Sequence, residues 1–365
     1  MQAGGEDVNE LGTRFRIGIF GSSHGPCVGA KVEGCPPGSK VSEAVIQAEL
    51  DRRSPGRGPL STARRERDRL EIVSGLRNGR ATGGPIVGLL RNMDADSSAY
   101  DAFLKVPRPG HADYPAMVRY GGHHDHRGGG QFSGRMTAGL VIGGAIARQV
   151  IERKGVGVLA QTVQIGSVKL DKEVPFSQAE RIVRSNAVGC ADKRTAELMK
   201  QEIVRAHEDR DSVGGVVKCT VIGLPVGIGE PFFGSIESLV SSMMFSIPGV
   251  KGVEFGSGFR CASMRGSEHN DPYIVRSGKI VTKTNNAGGV LGGLSNGMPV
   301  EFRVAFKPTS SIARPQMSVD LETKKQVELM VKGRHDPCIV PRAVPVVENS
   351  AAAVMLDLML QGGFC

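Results

Sequence analysis

The stretch YGGHHDHRGGGQFSGR, residues 120–135, sets His123, His124, Asp125 and His126 in four consecutive positions, directly ahead of an arginine and three glycines. Two chemistries are open to it. Imidazole and carboxylate together suit zinc, as a metallohydrolase would use them. Adjacent side chains of an extended segment point to opposite faces, however, so His123 and His124 do not readily share one ion. A surface loop with incidental histidines reads the same way. The second half, RGGGQFSGRMT (127–137), is a glycine-rich loop that feeds an apolar helical stretch. The free N–H groups and partial positive charge of a helix start suit phosphate. Ser133, Thr137 and Arg135 add donors, although the spacing matches neither a P-loop nor G-x-G-x-x-G.

Four further groups could carry chemistry. His24 in FGSSHGP (20–26) and His111 in PGHADYP (109–115) each sit beside glycine in a turn. Such a histidine serves as a general acid near neutral pH or as a hydrogen-bonded turn residue. FKPTSSIARP (306–315) joins Lys307 to Thr309, Ser310 and Ser311, which suits a phosphate or a polar ring edge, or simply closes a strand. KGRHDPCIVPRAVPV (332–346) sets Asp336 between Arg334 and Arg342. One acid among arginines is expected to be ionised and so to accept a proton. The densest positive charge, RRSPGRGPLSTARRERDR (52–69), reads as a solvated loop or an anion-binding one.

Something must position these groups, and the composition bounds what it is. The chain has 365 residues, 40% of them apolar and 23% charged, as expected of a soluble globular protein. Its 50 glycines are twice the usual share of ~7%, without a collagen-like period. Many loops shaped around a ligand would use them. The formal charge of +9 attracts anions: nucleic acid, acidic membrane or phosphorylated metabolites. No tryptophan and only four tyrosines leave few side chains for base stacking, which counts against charge-driven nucleic-acid binding. Seven scattered cysteines without Cys-x-x-Cys fit a reducing compartment. MQAGGEDVNE is polar and acidic, unlike a signal or transit peptide, and we expect no membrane-spanning helix. These features predict a cytoplasmic protein with no membrane partner.

Strands are expected at 14–21, 28–34, 83–92, 216–225 and, by alternation, 300–308. Helices are expected at 41–53 with Ser42 as N-cap and Pro55-Gly56 as stop, and at 136–155, 192–212, 235–244 and about 342–360. VGAKVEGCPPG…VSEAVIQAEL and VKCTVIGLPVG…SIESLVSSMM share a strand, a proline-glycine loop and a helix, an echo as easily due to chance as to two similar halves. No low-complexity linker divides the chain. We expect a flexible N-terminus over 1–10 and a single domain over 11–365.

FGSSHG, RPGHADYPAMVRYG, RGGGQFSGRMTAGLVIGGAIA, NNAGGVLGGLSNG, KPTSSI and GRHDPCIVPRAVPVVE occur in this order, and together they closely resemble the chorismate synthase family from about residue 11 to 360. The resemblance implies conversion of 5-enolpyruvylshikimate 3-phosphate to chorismate and phosphate by trans-1,4-elimination. It also implies reduced FMN, which lends an electron transiently and takes up the hydrogen at N5 without net redox change. The implied fold is α+β: a β-α-β sandwich with helices between two antiparallel sheets, assembled as a homotetramer. Neither the fold nor the assembly follows from periodicity.

Residue by residue, the resemblance implies that His24 protonates the departing phosphate, His111 protonates reduced flavin and Asp336 relays the proton at N5. Arg53, Arg57, Arg64 and Arg135 would bind the substrate's two carboxylates and phosphate, for which the planar guanidinium fork is suited. Gln131, Phe132, Ser133, Gly292, Lys307, Pro308, Thr309, Ser310 and Ser311 fall on FMN-binding positions, and Arg334 lies near substrate and flavin. The chain departs from the family at Ser22, where glutamate is usual, and at Gln131-Phe132, where the loop often reads arginine-serine. Gly58-Pro59 and Pro248-Gly249 are further departures, the first of which removes an arginine contact or shifts it to Arg57. No nicotinamide motif is visible, so an external flavin reductant is expected.

Overall fold

A computed structural model describes residues 9–54, 68–93, 100–331 and 336–365. Strands β1 (Glu10–Leu11), β2 (Arg16–Gly21), β3 (Cys27–Glu33) and β4 (Leu70–Ser74) are followed by a short hairpin of β5 (Leu76–Arg77) and β6 (Arg80–Ala81), then by β7 (Ile86–Arg91). Five of these strands form an antiparallel sheet in the order β1-β2-β3-β7-β4. The second half supplies β8 (Gly157–Ile165), β9 (Val168–Lys169), β10 (Gly215–Ile222) and β11 (Val250–Phe255). Hairpins β12 (Tyr273–Arg276) with β13 (Lys279–Thr282) and β14 (Val290–Leu291) with β15 (Leu294–Ser295) come next. Then come β16 (Val300–Phe306) and a hairpin of β17 (Gln316–Val319) and β18 (Gln326–Leu329). The second sheet runs β11-β16-β10-β8-β9, again antiparallel.

The helices are α1 (Glu43–Arg53), α2 (Ala102–Lys105), α3 (Asp113–Arg119), α4 (Thr137–Glu152), α5 (Phe176–Val183), α6 (Lys193–Glu208), α7 (Ile236–Phe245), α8 (Gly266–His269) and α9 (Val340–Gln361). Helix α4 packs on β2 and β3, α9 packs on β8 and β10, and α4 and α9 pack on each other along most of their length. The architecture is thus the expected α+β sandwich, with a helical layer between two antiparallel sheets.

Local sequence explains the layers. Val300, Phe302, Val304 and Phe306 alternate inward along β16, the half-buried pattern of an antiparallel strand. Helix α4 is buried from Thr137 to Ile151, so it needs apolar residues on every side. Its glycines exchange helix propensity for close approach. A Cβ at Gly139 would crowd the carbonyl of Gly29 on β3, and one at Gly144 would collide with the backbone of Asn349 on α9. Helix α6 keeps a solvated face, and its Asp192 caps Thr195 N–H at 2.8 Å.

The internal echo falls on equivalent places. Strand β3 is the middle strand of the first sheet and leads to α1, and β10 is the middle strand of the second and leads to α7. Two expectations need adjustment. Glu10 and Leu11 already pair with Gly18 and Ile17, so the sheet begins inside the segment expected to be flexible; residues 1–8 lie outside the described chain. Ser42 occupies the N-cap of α1 without a side-chain cap bond, while its backbone N–H donates to Gln149 Oε1 at 2.8 Å. The helix ends at Arg53, and the expected Pro55-Gly56 stop lies outside the described residues. Helix α9 is, by length and composition, apolar enough to cross a membrane. It is instead the core helix, 94% buried along its most apolar window. Its Asp357 accepts the backbone N–H groups of Thr13, Arg14 and Phe15 at 3.0, 2.6 and 2.8 Å, joining the two ends of the described chain.

Candidate active site

The helical layer opens at one end into a cavity of about 710 Å³. Helices α1 and α7 contribute their C-terminal residues Arg53 and Phe245. Helices α4 and α9 contribute their N-terminal turns, through Thr137 in the first turn of α4 and through Arg342, Ala343 and Val346 in the first two turns of α9. Two long helices therefore turn their positive ends to one space. The glycine loop, the His111 turn, the Ile247–Lys251 segment and the Lys307–Ser311 segment complete the wall.

The glycine loop brings both lone histidines in. Gly128, Gly129 and Gly130 have φ of 60, 81 and 53°, the left-handed region that side chains disfavour. A Cβ on Gly128 would collide with the His24 ring, and one on Gly129 would lie 3.3 Å from His111 Nε2. His24 is buried one ring behind the wall, edge-on to Tyr100 at 5.1 Å. His111 Nδ1 lies 2.6 Å from Asp113 Oδ1. Burial alone would raise the Asp113 carboxyl, but hydrogen bonds from Arg108 and His111 outweigh it and hold it well below the usual carboxylate range.

Opposite, Asp68 bridges two arginines. It accepts from Arg53 Nη2 at 3.0 Å, from Arg135 Nη1 and from Ser54 Oγ at 3.1 Å. Burial opposes its charge, yet Arg53 and then Arg135 keep its carboxyl below the ordinary value. Burial, then repulsion from Arg342, lowers the Arg53 guanidinium to about 9, still charged at neutral pH. Its Nε is buried with no hydrogen-bond partner among the described residues, a donor left for an anion.

Asp336 pairs with Arg342 Nη1, and Arg342 Nε donates to the Arg53 carbonyl at 3.0 Å. Thr309 Oγ1 donates to the Asp336 carbonyl at 2.7 Å, and Lys307 Nζ donates to the Gly110 carbonyl. The Lys307 segment thus ties the His111 turn to the start of α9. Burial, then the charge of Lys251, lowers the Lys307 ammonium below its ordinary value.

Most expected site residues therefore meet. Arg53, His111, Gln131, Phe132, Ser133, Arg135, Lys307, Pro308, Thr309, Ser310, Ser311 and Asp336 line the cavity, with His24 directly behind. Gly292 does not: it turns the hairpin between β14 and β15, beside the start of α7, while the cavity meets the helix's other end. Arg57, Arg64 and Arg334 lie outside the described residues. Sequence reasoning missed Asp68, Tyr100, Arg108, Asp113 and Lys251 as wall or support residues. Asp113 alone had a local signal, an acid two residues past a turn histidine.

The His123–His126 cluster disperses. Asp125 accepts from Arg127 Nε at 2.8 Å and Ser22 Oγ at 3.2 Å, and His126 Nε2 lies 2.9 Å from Asp101. Among the described residues, no three histidine, cysteine or acidic side chains gather as metal ligands.

The family model described as chorismate synthase matches residues 15–360. A chorismate synthase of Methanothermobacter thermautotrophicus is 49% identical over 357 residues, 98% of this chain and 95% of the relative. One of Thermococcus gammatolerans is 50% identical over 343 residues, 94% of this chain and 95% of the relative. A solved structure titled "Crystal Structure of Chorismate Synthase" superimposes with a TM-score of 0.76 at 26% identity, covering 96% of this chain and 93% of its own. The match runs through both sheets, the helical layer and every described wall segment of the cavity: the chain belongs to the chorismate synthase family.

Proposed function

We propose that this enzyme, a lyase by its family, converts 5-enolpyruvylshikimate 3-phosphate to chorismate and phosphate by an FMN-dependent trans-1,4-elimination. One observation carries the reading. Arg53, Arg135, Arg342, Lys251 and Lys307 surround a single cavity that also holds His111 and Asp336, with His24 behind its wall. A substrate with two carboxylates and a phosphate fits that charge, and the positive ends of α4 and α9 add to it.

The residues present also fit FMN. Lys307, Thr309, Ser310 and Ser311 offer a cation and three hydroxyls to a phosphate, and the glycine loop leaves room for backbone approach. Ile247, Phe306, Ile339, Ala343 and Val346 form an apolar wall for a flat ring. Reduced FMN, when bound, supplies the electron that eases phosphate departure and accepts the hydrogen at N5. Arg53 and Arg135, locked by Asp68, hold the substrate's anionic groups. His24 delivers a proton to the leaving phosphate, His111 supplies one to the flavin, and the Asp336 carboxylate accepts the proton released.

Reducing equivalents come from outside the chain. The enzyme works as a homotetramer in the cytoplasm. Two observations support the assembly: Phe232, Phe233 and Phe259 are more than four-fifths exposed, and β12–β13 carries Tyr273, Val275 and Ile280 outward. The seven unpaired cysteines fit a reducing compartment. The test is anaerobic turnover. Purified protein with chemically reduced FMN is expected to release chorismate and phosphate from the enolpyruvyl substrate, and with oxidised FMN plus NADPH it is expected to stay idle. Folded protein without turnover in the first assay sinks the reading. Turnover in the second revises only the source of electrons.

A further inference from the structure

His111 does not stand alone on the cavity wall. Asp113 Oδ1 lies 2.6 Å from His111 Nδ1 and 2.7 Å from Arg108 Nη2. Asp113 Oδ2 accepts the Arg108 backbone N–H at 3.0 Å and its Nε at 2.8 Å. Arg108 is fixed in turn. Its guanidinium lies 4.5 Å over the Phe103 ring and donates to Ser311 Oγ at 3.2 Å. Arg108 Nη2 is also 3.1 Å from His111 Nδ1 and 3.3 Å from Nε2.

An arginine only donates, so Nδ1 cannot both accept from Arg108 and give a proton to Asp113. The carboxylate resolves the conflict, because its oxygens accept from both neighbours. Burial of Asp113 to less than a tenth of its surface keeps water from competing.

We propose that Asp113 is the positioning residue of His111. It accepts the Nδ1 proton, fixes the tautomer whose Nε2 carries the lone pair, and aims that nitrogen past Gly129 into the cavity. The inference rests on the reading of His111 as a proton donor, and it deepens it. In the transfer the His111 imidazolium gives up its Nε2 proton: the Nε2–H bond breaks, its electron pair stays as the lone pair of the neutral tautomer, and the Nδ1–H bond stays intact, donating to the Asp113 carboxylate. The reverse transfer restores the proton to Nε2. Asp113 itself never takes the proton.

The test is nitrogen spectroscopy of full-length protein labelled with ¹⁵N-histidine, at a pH where imidazole is neutral. The His111 signals are assigned by their loss in His111→Gln. Wild-type protein is expected to show a protonated Nδ1 and a bare Nε2. Asp113→Ala is expected to reverse that ratio toward the Nε2–H form. A wild-type ring already protonated at Nε2, or a tautomer unmoved by Asp113→Ala, overturns the inference. The wild-type measurement stands even if the variant fails to fold. Asp113→Asn keeps an oxygen for Arg108. It is expected to lower kcat by roughly 10²-fold or more, the scale of general acid catalysis, with KM changed less than about threefold. A rise in KM with kcat intact overturns the positioning role. If the tautomer is as stated but His111→Ala turns over at the native rate, the positioning stands and the proton-donor reading fails.

Discussion

Gly128 lies against the imidazole of His24 so closely that no side chain can replace its hydrogen. At a φ of 60° the position also disfavours a Cβ on backbone grounds. Gly128→Ala is therefore expected to displace His24 and lower kcat by roughly 10²-fold, comparable to losing a general acid. Gly266→Ala, at an exposed helix start, serves as the control and should keep native rates. Steady-state kinetics beside a thermal melt separates displacement from unfolding. Native kcat in a folded Gly128→Ala protein would show that His24 tolerates the shift.

His24→Ala and Asp336→Ala are each expected to lower turnover by roughly 10²-fold or more. Asp336→Ala should also spare FMN affinity more than turnover. Fluorescence titration of flavin beside turnover makes the comparison, and an Asp336 variant that loses only binding contradicts the proton-accepting role.

Asp68 sets the spacing between Arg53 and Arg135 and balances their charge. Asp68→Asn leaves the two cations to repel each other, so KM for the phosphorylated substrate is expected to rise by roughly tenfold, on the scale of one lost charge-assisted hydrogen bond. Lys307→Met is expected to weaken FMN by roughly ten- to a hundredfold on the same scale while substrate KM at saturating flavin changes little. Equilibrium titrations check both. Equal effects on both ligands would place these side chains on one shared anion.

Acid should unfold the wild-type protein partly through Asp68 and Asp113, whose folded carboxyls lie below the ordinary 3.8. Below that value the unfolded chain binds protons that the folded chain refuses. Their stabilisation is thus complete above it and is lost as pH falls toward the lowered folded values. Urea unfolding at about pH 6 and about pH 3 should show a smaller acid loss for Asp113→Asn than for wild type. An equal loss removes Asp113 from the account.

The elements were legible where the pattern is local. The inward valines and phenylalanines of β16, the Asp192-capped α6 and the buried run of α4 all announce themselves in the chain. The sandwich was not, because nothing local says that α4 and α9 meet or that β3 and β10 are both middle strands; there the family pattern carried the reading. In the site, His24, His111 and Asp336 were brought forward as candidates through motifs. Asp68 and Tyr100 were not, because their roles arise only from what the fold sets beside them. Composition also gave prominence to a histidine cluster that the fold disperses: His126 turns to Asp101.

The contact of Gly144 with the Asn349 backbone lies deep in the dry interior, yet α4 starts just after Arg135 and α9 just after Asp336. The spacing of those two helices therefore gauges the distance between Arg135 and Arg342 across the cavity. A single added methyl at Gly144 would act as a wedge with a long lever, spreading Arg135 from Arg342 without touching any ligand. The width of the cavity is thus set partly in the core, where a search confined to the pocket wall would not look.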